Sequence, residues 1–238
     1  MTSSMETDGY VLVDYDNLLP LFQSLPLTSL AQRISGTLDR LSPGLNDVHI
    51  RLYGGWYSDT GLTNKGTRIA QELLKFPLTI GRQGKIVRRV FCEIASSLIG
   101  RKADTLFSTF RKRTGFRSRL AITLPTGCVD PTNCTVRAVS KWSSGGCPHT
   151  GCAITMHDVF SYYEQKLVDT LLCCDLIALG TRSPAPVIFV LSDDDDIVPA
   201  YLLAAGGGAS IFQLQMRTSG ARSYDALLQQ NNVRSGSL

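Results

Sequence analysis

The stretch VIFVLSDDDDIVPAYLLAAGGGASIF, residues 187–212, runs five apolar residues into four consecutive aspartates, Asp193 to Asp196. Two more acids, Asp14 and Asp16, close the apolar run of GYVLVDYDN, and Asp169 sits in QKLVDTLL. Like charges about 4 Å apart repel by roughly 1 kcal/mol in water and about 4 kcal/mol at a protein surface. Carboxylates gathered this way need raised pKa values or a cation among them. Hard divalent ions such as Mg²⁺ and Mn²⁺ take oxygen ligands and keep several waters. One or two such ions held by Asp14, Asp169, Asp194 and Asp196 would account for the cluster. The corresponding chemistry is phosphoryl transfer or phosphodiester hydrolysis, in which the metal activates water and steadies the leaving oxygen. The competing reading is that acids after a strand cap the next helix. Asp193 or Asp195 suits that role, but capping leaves Asp14 and Asp169 unexplained.

The elements that must carry these acids alternate. GYVLVDYDN (9–17) reads as a buried strand. PLTSLAQRISGTLDRLSPG reads as a helix with Leu30, Ile34, Leu38 and Leu41 on one face, Thr28 or Ser29 as N-cap and Pro43-Gly44 as the stop. DVHIRLYGGWY is a strand broken at Gly54-Gly55, and TNKGTRIAQELLKF a second helix. KIVRRVFCEIASSL is open to helix or strand, and RLAITLP (119–125) reads as a strand. MHDVFSYYEQKLVDTLLCCDLIAL predicts one long helix with Phe160, Leu167, Leu171, Cys174 and Ala178 on its apolar face. Asp169 then lies on the polar side, one turn from Lys166. PVIFVL is a buried strand, DIVPAYLLAAGGG a helix with Pro199 in its first turn, and ASIFQL closes the sheet. The polar segment 216–238 reads as a flexible tail. Strands alternating with helices predict an α/β fold with a central parallel sheet. In such folds the loops after the strands converge on a crevice where strand order reverses.

Three motifs together resemble the NYN branch of the PIN-like nuclease superfamily. Asp14 and Asn17 match its D-x-x-N; Lys166, Val168 and Asp169 match K-x-V-D; Ser192, Asp194, Asp196, Val198 and Pro199 match S-G-D-S-D-F-V-P. The resemblance implies a three-layer α/β/α PIN-like sandwich over residues 8–215. It also implies a metal-dependent endoribonuclease with Asp14, Asp169, Asp194 and Asp196 as Mg²⁺ or Mn²⁺ ligands. Asn17 would orient a ligand or the substrate phosphate. Asp193 and Asp195 replace the family's Gly and Ser, Ile197 replaces Phe, and a long insertion precedes the second motif. Two rivals stand beside this reading. One is a haloacid-dehalogenase-type phosphatase built on the Asp14-x-Asp16 pair, which leaves K-x-V-D unexplained. The other is a catalytically silent PIN-like module that binds RNA.

Charge is distributed unevenly. Residues 82–119 hold 11 basic and 2 acidic residues, against a net of −2 for 1–81 and −3 for 120–238. Such a strip points to a polyanion, RNA in preference to DNA, with Lys166, Arg88, Arg89, Arg111, Lys112 and Arg113 on its backbone. The Cys-rich insertion 126–155 holds Cys128, Cys134, Cys147, His149 and Cys152. The four thiols form a candidate structural zinc site, His149 is the substitute ligand, and Trp142 and Lys141 are available to grip substrate. Cys92, Cys173 and Cys174 read as small core residues. His49 and His157 read as structural, and Trp56 and Tyr57 as either base-stacking or core. Seven cysteines behind an acidic amino terminus predict a reducing, cytoplasmic setting. No apolar run reaches the roughly 20 residues of a membrane helix, and nothing indicates a homo-oligomer.

Overall fold

The computed structural model describes residues 7–82, 86–114, 129–130, 133–135, 142, 147, 149–155, 158, 161–216 and 223–238. It divides into two compact units, residues 1–110 with 165–238, and residues 111–164. The inserted unit is therefore wider than the 126–155 read from composition.

In the larger unit the chain runs β1 (Thr7–Asp14), α1 (Pro20–Gln23), α2 (Leu27–Leu41), β2 (Leu45–Tyr53), β3 (Tyr57–Ser58), β4 (Gly61–Leu62), α3 (Asn64–Leu73), β5 (Leu78–Arg82) and β6 (Ile86–Ile94). Strands β7 (Phe110–Thr114) and β8 (Ser161–Gln165) pair with each other where the chain enters and leaves the inserted unit. There follow α4 (Val168–Gly180), β9 (Val187–Leu191), a 3-10 turn (Asp195–Ile197), α5 (Val198–Gly206), β10 (Ser210–Gln215), α6 (Asp225–Gln230) and β11 (Arg234–Ser237). Seven strands form one sheet in the order β11-β10-β9-β1-β2-β6-β5, parallel except for β5 against β6. Within it Leu12 of β1 lies level with Arg51 of β2 and Val190 of β9.

Both faces of the sheet are buried, which is why β1 and β9 are apolar without alternation. Val11 and Val13 point to the layer of α2 and α3, where they meet Leu30, Ile34, Leu38 and Ile69. Leu12 points to the layer of α4 and α5, among Leu172, Leu176, Val198 and Tyr201. Full burial of each such aliphatic side chain stabilises by about 1.5–3 kcal/mol. Helices α4 and α5 approach closely at Gly180, where a Cβ would stand 2.7 Å from the Cα of Ala204.

Several expectations change. Helix α2 starts at Leu27, so Thr28 and Ser29 lie inside it. Its N-cap is Pro26, and the Leu27 amide is satisfied instead by the Glu72 carboxylate of α3 at 2.6 Å. The ambiguous stretch is strand β6. The long helix around Asp169 is two elements, β8 and then α4. Leu167 between them adopts a left-handed backbone, φ +67°, which ends any continuous helix. The buried face of α4 is Val168, Leu171, Leu172, Asp175, Leu176 and Leu179. Cys174 and Ala178, expected in the core, are exposed, and Phe160 lies outside the described residues. The tail is not a tail: α6 and β11 extend the sheet beyond β10 and bury Leu228 and Val233. Among the described residues no helix is long and apolar enough to cross a membrane.

Candidate metal centre

From β1 the chain proceeds through β2 and β6 to one side of the sheet, and from β9 through β10 and β11 to the other. Strand order reverses between β1 and β9, whose carboxyl ends therefore border the crevice where open α/β sheets bind ligands. Asp14 is the last residue of β1, and Ser192 directly follows β9.

Asp14 is 1% exposed. Its Oδ2 accepts from Asn17 Nδ2 at 2.8 Å and from Ser192 Oγ at 2.9 Å. Its Oδ1 is buried and has no hydrogen-bond partner among the described residues. Such an orphan costs about 1–3 kcal/mol, more for a charged group, so its persistence asks for a ligand. Burial lifts the Asp14 pKa to about 6; the Asn17 and Ser192 hydrogen bonds oppose the rise, and the charge of Asp169 adds to it. Asp169, in the first turn of α4, is also raised, first by burial and then by Asp194, Asp196 and Asp16. The Ser192 hydroxyl accepts from the Asp194 amide at 3.1 Å. Asp194 Oδ1 in turn caps the 3-10 turn through the Asp196 amide at 2.9 Å, while its Oδ2 lies 3.4 Å from Asn17 Nδ2. The capping role expected of Asp193 or Asp195 thus falls to Asp194, which serves the crevice with its other oxygen.

One oxygen each from Asp14, Asp169 and Asp194 lies within 4.8 Å of the others. An octahedral shell with bonds of about 2.0–2.1 Å sets its oxygens about 2.9 to 4.2 Å apart. The 4.8 Å bound lies just above that span, so the three carboxylates are near enough for a small inward shift to close them on a divalent cation of that size. Asp196 is exposed and stands outside the trio, though its charge reaches Asp169.

Asp16 is occupied. It accepts from the Gly55 amide at 2.8 Å and from Gln165 Nε2, and it pairs with Lys65. The Lys65 ammonium also lies 5.3 Å from the Trp56 ring centroid. Lys65 and Gln165 carry no motif that marks them in the sequence. Trp56 is wholly buried and donates to Leu52 O at 2.9 Å, so it is a core residue, while Tyr57 is half-buried against Phe107.

Several other expected contacts have partners of their own. Arg88 is 3% exposed and serves the fold: it donates to Leu45 O at 3.0 Å and to Ser35 O at 2.9 Å, and pairs with Asp39 at 3.0 Å. It is corrected from a substrate contact to a structural residue. Arg89 forms a two-pronged pair with Asp47. Arg111, Lys112 and Arg113 belong to the inserted unit, where Arg113 pairs with Glu164. Lys166 is an exposed loop residue rather than a turn of the Asp169 helix, and its amide donates to Thr109 O at 3.0 Å. Cys128, Lys141 and His157 lie outside the described residues. Cys134, Cys147, His149 and Cys152 contribute no three-ligand group among the described residues.

Searches of protein-family models, of curated proteins and of solved structures find no match to this chain.

Proposed function

We propose that this protein is a metal-dependent endoribonuclease of the PIN-like, NYN type, hydrolysing phosphodiester bonds at the crevice between β1 and β9. The observation that carries the reading is the buried Asp14 carboxylate, which has an unpartnered Oδ1 and one oxygen within 4.8 Å of oxygens of Asp169 and Asp194 at the sheet's switch point. Asp14, Asp169 and Asp194 would hold Mg²⁺ or Mn²⁺, with Asp196 adding charge from the rim. A divalent ion there supplies charge to a phosphate oxygen and acidifies the attacking water. Asn17, bonded to Asp14 and beside Asp194, fixes the two carboxylates relative to each other, and Ser192 locks the same pair from the strand side. RNA as the substrate, in preference to DNA, and a cytoplasmic setting follow from the resemblance and the thiol content.

The phosphatase alternative loses ground because Asp16, its second acid, is engaged by Gly55, Gln165 and Lys65. The deciding experiment compares wild type with Asp194→Asn plus Asp196→Asn on single-stranded and structured RNA, in Mn²⁺ and in chelator. Cleavage confined to wild type with Mn²⁺ supports the assignment. Equal cleavage by both proteins rejects it, and RNA binding without turnover in either assigns the silent module.

A further inference from the structure

A separate cavity lies on one face of the sheet, over the middle of β1, β2 and β6, with Ile99 and Lys102 at its edge. Tyr10 of β1, His49 of β2 and Phe91 of β6 occupy one row across three strands. Their rings stack, with centroids 5.1 Å apart at 21° between Tyr10 and His49 and 4.9 Å apart at 11° between His49 and Phe91. The outer faces of the stack are taken: Arg182 lies 5.4 Å over Tyr10 and Arg89 lies 5.9 Å over Phe91. What the three rings offer the cavity of about 430 Å³ beside them is their edges.

Aromatic edges are the positive part of the ring quadrupole, and they prefer the negative face of another π-system. Three near-parallel edges in a row form a wall on which a flat ring can lie. Charge on the cavity rim is positive. Arg182 and Lys102 are both exposed, whereas the cavity's carboxylate, Glu93, is already paired with the buried Arg51. Lys102 stands 3.7 Å from Glu93, a loose contact that an anion could outbid. The volume lies within the range of small-ligand sites, about 300–1,000 Å³.

We propose that this cavity binds a planar ring bearing a phosphate, a ligand of the nucleoside monophosphate class. The ring lies across the edges of Tyr10, His49 and Phe91, and the phosphate is met by Arg182 and Lys102. The site is independent of the metal centre. Tyr10 and Asp14 are four residues apart on β1, about 13 Å at the rise of a strand.

The test is calorimetric titration of the full chain with 5′-AMP, adenosine and inorganic phosphate, in chelator so that the acidic crevice contributes nothing. AMP is expected to bind saturably, about tenfold or more tighter than adenosine or phosphate alone. Arg182→Gln plus Lys102→Gln should weaken AMP by about tenfold or more, as loss of charge-assisted hydrogen bonds implies. Both side chains are exposed, so this variant should fold, and a circular dichroism melt verifies it. Asp194→Asn should bind AMP as wild type does, which separates the proposal from the nuclease reading. No saturable binding below about 1 mM, equal affinity for phosphate and AMP, or loss of binding in Asp194→Asn alone would each overturn it.

Discussion

Asp14→Asn is expected to stabilise the metal-free protein while abolishing its response to metal. Burial holds the Asp14 carboxyl at about 6 against its ordinary 3.8. Since the folded-state value lies above the unfolded one, the native state binds this proton more tightly. Stability therefore falls as pH rises from about 4 to about 6 and stays at the lower level above that. Two pH units at 1.36 kcal/mol each make the loss about 3 kcal/mol at most. Asparagine does not titrate in this range. Its carbonyl can accept from Asn17 and Ser192 as Oδ2 does now, and its amide would replace the orphaned Oδ1. In chelator at pH 7 the variant should be more stable by about 2 kcal/mol, or about 4–8 °C in melting temperature for a chain of this size. The two proteins should converge near pH 4.

Divalent metal reverses the comparison. Mn²⁺ at 100 times its dissociation constant stabilises the wild type by about 2.7 kcal/mol through mass action, and the variant, lacking the buried ligand, should gain far less. Thermal melts from pH 4 to 8, in chelator and in Mn²⁺, read both effects. A variant less stable than wild type at pH 7 in chelator, with an unchanged pH slope, would refute the account of Asp14 as a strained ligand. Equal stabilisation of both proteins by Mn²⁺ would refute the centre.

Three further outcomes follow from the same packing. Asp175 is wholly buried and accepts from Arg51 Nε at 3.0 Å, Tyr53 Oη at 2.8 Å and the Ile99 amide at 2.8 Å. Asp175→Ala strips a buried arginine of its main partner and should cost about 3–5 kcal/mol in urea denaturation; a loss under about 1 kcal/mol would show the network to be dispensable. Ser192→Ala removes the donor to Asp14 and the acceptor for the Asp194 amide. It should weaken Mn²⁺ binding by about 10–100-fold, and an unchanged affinity would remove Ser192 from the centre. Deleting residues 223–238 bares the edge of β10 and the contacts of Leu228 and Val233, each worth about 1.5–3 kcal/mol. The truncated chain should melt lower and aggregate, and an unshifted melt would restore the tail reading.

The legible parts of this molecule are those whose pattern is local. Strands β1 and β9, helices α2 and α5, and the acids at the strand ends follow from runs of apolar residues and from Pro and Gly punctuation. The meeting of Asp14, Asp169 and Asp194 then follows from parallel-sheet topology. The region before Asp169 was not legible, because one non-glycine residue, Leu167, takes a left-handed backbone that no propensity favours. Nor was the carboxyl-terminal edge: a strand of sequence RSGS has almost no strand propensity and exists because β10 offers a free edge and Leu228 and Val233 anchor it.

The basic strip shows the limit most sharply. Summing charge along 82–119 treats the segment as one surface, but β6 has a period of two, so successive arginines must leave by opposite faces of the sheet. Arg88 goes inward with Val90 toward α2 and is consumed by Ser35, Leu45 and Asp39. Arg89 goes the other way, onto Asp47 and the ring of Phe91. Beyond β6, Arg101 pairs with Asp104, and Arg113 with Glu164 in a different unit. A nucleic-acid groove therefore cannot be read from a linear count of cations. What that part of the sheet offers instead is the short row of rings with cations at its ends, which only the strand register assembles.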